Sequence, residues 1–132
     1  MRLLPDTNTL NYILKGIPSV RGRFEAALAR GSHFILGSVA HYEVKRYLIL
    51  KGSHRLLRAY EKMTASWPRY HLSFEDWEEA AQVWADRHRF GRSIADLDLF
   101  LAVLARRERA VLVTSNVKHF EGLGLPLEDW TT

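Results

Sequence analysis

No cysteine occurs among the 132 residues, which excludes disulfides and thiolate metal sites. The eight glycines are scattered rather than gathered into a phosphate-cradling loop. No apolar run nears the roughly 20 residues that cross a bilayer. Asp6 and Asn8 interrupt the apolar stretch that an N-terminal signal would need. Serine is never found in a nucleophile elbow, and the six histidines lack helix-spaced metal pairs. His41-x-Glu43 has the start of a zinc-deaminase pattern, but the cysteines that pattern requires are missing. A cytoplasmic protein with no membrane association is expected.

What remains is one domain, residues 1–132, long enough to bury a real core. There are no repeats, low-complexity tracts or interdomain linkers. A formal charge of +4 and a pI near 9.6 point mildly to a polyanionic partner, or simply to a solvated, arginine-rich surface. Leu3-Leu4, His33–Leu36, Tyr70–Leu72, Ala110–Val113 and Leu125–Leu127 read as strands. Helical spacing predicts helices from Thr7, over Ser19–Arg30, over Val39–Leu50 capped by Ser38, around Leu56–Met63, from Ser73 to Arg89, and over Leu97–Leu104. A short helix runs through Phe120. This alternation implies right-handed crossovers and a mainly parallel sheet of about five strands, covered on both faces.

Asp6 falls where the first strand stops, and ligands of open α/β sheets bind at that edge. Taken alone, it could equally cap the first helix. Glu43 lies one turn into the helix after the second strand; it could point over the sheet edge or pair with Lys45 or Arg46. Asp98 is flanked by Leu97, Leu99, Phe100 and Leu101, where an ionised carboxylate needs a partner or a cation. It could also favour a helix N-terminus, a role that Asp96 fits at least as well. Residues two apart on a helix face different ways, so Asp96 and Asp98 should not both be ligands. Asn116 follows the fourth strand with another oxygen. Clustered carboxylates repel, and a divalent cation with a taste for hard oxygens, Mg²⁺ or Mn²⁺, relieves that repulsion. Such a site can activate water against a phosphodiester.

These residues also carry a resemblance. Leu4-Pro5-Asp6-Thr7-Asn8, Ser38–Val44 as S-x-x-x-x-E, Gly91-Arg92-Ser93-Ile94 leading to Asp98, and Leu112-Val113-Thr114-Ser115-Asn116 followed by His119-Phe120, Gly124-Leu125 and Trp130 resemble PIN-domain ribonucleases. Within that group the chain is most similar to VapC-type toxins of toxin–antitoxin pairs, over essentially its whole length. The resemblance implies a three-layer α/β/α sandwich and Mg²⁺- or Mn²⁺-dependent cleavage of RNA, commonly tRNA or ribosomal RNA. It implies Asp6, Glu43 and Asp98 as the catalytic, metal-binding acids, with Asn116 at a fourth position and Asp96 as a further candidate. It also implies a cognate antitoxin and a second copy of the chain as partners, in a homodimer or a higher oligomer. Pro5 and Asn116 depart from the usual aliphatic residue and the frequent Asp.

Lys45, Arg46, Arg89 and Arg92 flank the acids and could hold RNA phosphates or remain solvated. Some of Tyr12, Leu14, Phe24, Tyr47, Leu50 and Leu57 are expected to line the antitoxin groove. The alternatives are a catalytically degenerate PIN module that binds RNA or protein without cutting, and a receiver domain. The receiver reading is disfavoured because Thr7 and Asn8, not a second acid, follow Asp6.

Overall fold

The computed structural model describes residues 1–132. Strand β1 (Arg2–Pro5) stops at Asp6, whose carboxylate accepts the Thr9 N–H at 2.8 Å and starts helix α1 (Thr7–Lys15). Left-handed Gly16 ends that helix, and Pro18 opens α2 (Pro18–Ala29). Two short strands, β2 (His33–Phe34) and β3 (Leu36–Gly37), lead into α3 (Ser38–Lys51) and α4 (His54–Thr64). Strand β4 (Arg69–Tyr70) precedes α5 (Phe74–Arg89), which begins with a reciprocal Ser73–Asp76 capping box. Helix α6 (Asp96–Glu108), β5 (Val111–Val113), a 3-10 turn (Val117–Phe120) and β6 (Leu127–Glu128) complete the chain.

The central sheet is parallel throughout, in the order β2-β1-β5-β6. Leu3 and Leu4 point to opposite faces of β1 and are both fully buried, so both faces of the sheet are covered. Helix α6 buries Leu99 and Leu101–Ala105 and packs against α3, α5 and β5. Gly37 admits this packing: a Cβ there would lie 2.8 Å from a methyl of Leu104.

Strands form at or beside all five expected places, but β4 keeps only Tyr70 of Tyr70–Leu72, β6 keeps only Leu127 of Leu125–Leu127, and the second divides at Ile35. Its backbone N–H still reaches Leu3 (3.0 Å), whereas the N–H of Leu36 turns to Pro68 (2.9 Å). The β3–β4 pair therefore forms a separate two-stranded parallel sheet instead of a fifth strand in the main one. Ser38 is not the cap of α3. Gly37 holds that position, and the Ser38 hydroxyl donates to the carbonyl of Tyr70 (2.9 Å) and meets His71 Nδ1 at 2.5 Å. Asp96 is not the cap of α6, which is Ala95, but it and Asp98 both stand in the first turn, where an acid favours the helix N-terminus. No helix is long and apolar enough to cross a membrane.

Candidate active site

Parallel strands bring all their carboxyl ends to one edge, and β1 with its neighbour β5 sets the site there. The N–H of Asp6 continues the ladder to the carbonyl of Val113 (2.9 Å), and the Thr9 hydroxyl donates to the same carbonyl (3.0 Å). Asp6 is thus fixed at three points: its backbone, its capped helix and the threonine that follows. Its side chain lies among Thr9, Thr114 and Asp98 and is only 6% exposed. Burial pushes its pKa above the ordinary carboxylate value, and the Asp98 charge adds to that rise. The Thr114 and Thr9 hydroxyls and the Thr9 N–H offset part of it.

Asp98 sits in the first turn of α6, half-buried, with His119 Nδ1 3.4 Å from its carboxylate. Glu43 reaches the same edge from α3. The Thr7 hydroxyl donates to it at 2.6 Å, tying it to the residue beside Asp6, while Arg46 approaches at 3.9 Å. Asp6 and Asp98 therefore share an electrostatic site and Glu43 stands against its rim. Asn116 lies exposed after β5, its N–H donating to the Thr114 hydroxyl (3.0 Å). Asp96 lies instead along a cleft lined by Trp77, Trp84 and Phe100.

The donor set is all hard oxygen, and the buried anion at its centre is destabilised by a second anion. That chemistry suits a divalent cation such as Mg²⁺ or Mn²⁺. As the side chains stand, no three acids or imidazoles close around one point.

The basic residues separate by position. Lys45 pairs with Glu61 on α4 (3.5 Å), and Arg89 pairs with Asp86 (3.2 Å). Arg46 stacks on Tyr42, and Arg92 carries no side-chain hydrogen bond or ion pair, as it lines an open cleft. Sequence reasoning missed Thr7, Thr9 and His119 as positioning groups. The adjacency of Thr7 to Asp6 was the available signal; the His119 contact depends on how the 3-10 turn folds back.

Comparison with known proteins agrees with this architecture. No family model matches the chain. Ribonuclease VapC1 from Haemophilus influenzae strains R2866 and 86-028NP is 27% identical over 131 residues, 96% of this chain and of each relative. VapBC2 from Rickettsia felis, solved bound to a DNA fragment from their promoter, superposes with a TM-score of 0.85 at 22% identity, covering 98% of this chain and 99% of that one. VapBC-1 from nontypeable Haemophilus influenzae gives 0.82 at 25% identity over the whole of both chains. A toxin–antitoxin complex from Klebsiella pneumoniae gives 0.72 at 21% identity over 92% of each.

The parallel sheet with acids at its carboxyl edge defines an α/β domain of PIN type. Within that class, the chain is similar over its full length to Ribonuclease VapC1 and to the VapBC-1 structure.

Proposed function

We propose that this chain is an endoribonuclease, the toxin of a toxin–antitoxin pair, that hydrolyses RNA at the carboxyl edge of β1 and β5. The observation that supports it most is Asp6: a carboxylate buried at a strand end, its pKa raised by burial and by Asp98, in a chain similar over its full length to Ribonuclease VapC1.

Asp6, Asp98 and Glu43 are the residues that would hold Mg²⁺ or Mn²⁺, with Asn116 and Asp96 the more remote oxygens. When bound, the cation would supply an activated water and charge stabilisation at the phosphate. The chain's own part is positional. Thr9 and the β5 ladder fix Asp6, Thr7 aims Glu43, and His119 bears on Asp98.

RNA from the native host should be cut by the purified chain with Mg²⁺ or Mn²⁺ and spared in EDTA. Asp98→Asn should lower turnover about 100-fold or more, the scale of losing one electrostatic stabiliser. RNA that is bound but never cut, at millimolar Mn²⁺, would favour the non-cleaving PIN module. Undiminished cleavage by Asp98→Asn sinks the mechanism.

Two exposed apolar faces fit the expected partners. Tyr47 and Leu50 project from α3, Leu50 being 84% exposed, with Tyr12, Leu14 and Leu57 half-buried on the adjoining helices. This face is assigned to the antitoxin. Phe24 does not belong to it, because its ring is buried against Phe34 and Trp67. Trp77, Trp84 and Phe100 form the second face, between α5 and α6, and are assigned to a second copy of the chain. Leu50→Asp should lose a co-purifying small protein without changing the mass of the free chain by light scattering. Trp84→Glu should reduce that mass to a monomer, and a mass unchanged by Trp84→Glu refutes the second assignment.

A further inference from the structure

A cleft of about 750 Å³ opens between the C-terminal end of α5 and the segment 122–124. A second, of about 270 Å³, shares Arg87 and Arg92 with it and continues to Lys118 and His119. His119 in turn lies 3.4 Å from Asp98. The two clefts therefore make one path that runs from Phe90 to the acidic site.

The charges along this path are uneven. Asp86 is engaged by Gln82 (3.0 Å) and Arg89 (3.2 Å), and Arg106 is engaged by Glu79 (3.1 Å). Arg87 donates to the backbone carbonyls of Glu121 (2.6 Å) and His119 (3.0 Å) and has no carboxylate partner, while Glu121 brings one unpaired carboxylate to the three cations of the same cleft. Arg92 and Lys118 have no carboxylate partner and no side-chain hydrogen bond, and both are exposed. At the mouth stands Phe90, 80% exposed, immediately before left-handed Gly91. Cations that track a backbone beside an open aromatic ring are the apparatus of single-stranded nucleic acid binding. An acidic protein segment would use the cations but would have no call for a bare ring among them.

We propose that this path holds single-stranded nucleotides flanking the cleaved bond, with a base stacked on Phe90 and phosphates on Arg92 and Lys118. The proposal rests on the ribonuclease reading and adds the route by which the strand reaches Asp98.

Binding of a short labelled oligouridylate to the Asp98→Asn chain, followed by fluorescence anisotropy, separates the possibilities. Phe90→Ala in that background should weaken binding about tenfold, the scale of one lost base–aromatic stack. Arg92→Ala and Lys118→Ala should each reduce the slope of log affinity against log salt by about 0.7, the increment of one single-strand phosphate contact. In the cleaving chain, all three should raise KM for host RNA rather than lower kcat. These side chains are exposed, so an unchanged Tm checks that the fold persists. Unaltered affinity and salt slope in all three, with host RNA still cut, overturn the path and leave the nuclease reading standing. A chain that neither binds nor cuts any RNA overturns both.

Discussion

Replacing Asp6 by Asn should lower RNA cleavage about 100-fold or more and, at the same time, raise stability near neutral pH. The two effects share a cause. The folded chain holds this carboxylate buried and beside Asp98, so its pKa lies above the ordinary 3.8. A group whose folded pKa is raised in this way binds protons more readily in the folded state. At pH below 3.8 the acid is neutral in both states and costs nothing. As pH rises from there through the folded pKa, the folded chain is progressively destabilised, and it stays so at neutrality. Asparagine removes that charge while its amide oxygen still accepts the Thr9 N–H that caps α1. Thermal unfolding should therefore show a higher Tm for Asp6→Asn at about pH 8 and little difference near the acid limit. Added Mn²⁺ should raise the Tm of the unaltered chain and leave the variant nearly unmoved. A variant less stable than its parent at neutral pH would contradict the electrostatic picture of the site.

The largest loss of stability is expected at Arg107→Met, far from the acids. The Arg107 guanidinium meets the buried carboxylate of Asp76, donates to the carbonyl of His71 from both terminal nitrogens (3.1 Å each) and pairs with Glu108 through Nε (3.0 Å). It thereby ties the end of α6 to the turn that starts α5. Methionine keeps the apolar stem but leaves Asp76, whose side chain is 5% exposed, with only the Ser73 N–H at 2.8 Å. Stranding a buried charge in this way costs about 3 kcal/mol. Urea unfolding should show that loss, and Asp76→Asn in the same chain should restore much of it, since an amide oxygen still accepts from Ser73. A loss under about 1 kcal/mol would mean that water already reaches the Asp76 carboxylate.

Much of this was legible in the sequence because the elements carry their own punctuation. Asp6 before a helix, Ser73 three residues ahead of Asp76, and Gly52 after an apolar stripe each mark a boundary that the structure keeps. The division at Ile35 was not legible. A four-residue apolar run says that a strand is buried, but not that its two halves have different neighbours. The same limit explains Phe24: helical spacing places it on an apolar face, and only tertiary packing shows that Phe34 and Trp67 already cover it. At the site, the order of the acids could be read, but their separation could not. Asp6 and Asp98 meet because β1 lies beside β5 and α6 feeds β5. Glu43 is tied to that edge by Thr7, a contact across 36 residues of chain. The arginines were the least readable. Neighbouring Arg87, Arg89 and Arg92 differ only in direction: one grips carbonyls, one pairs locally, and one faces the cleft.

The parting of the strands at Ile35 has a consequence for behaviour in concentrated solution. Every strand at a sheet margin, namely β2, β3, β4 and β6, is two residues long. An unpaired margin that short offers few free N–H and C=O groups to another chain, and strand-to-strand aggregation needs a longer template. The longest strand, β1, runs between two neighbours and presents no free edge at all. The sheet is therefore guarded against adding strands from other molecules, and association is left to the side-chain faces of the helices.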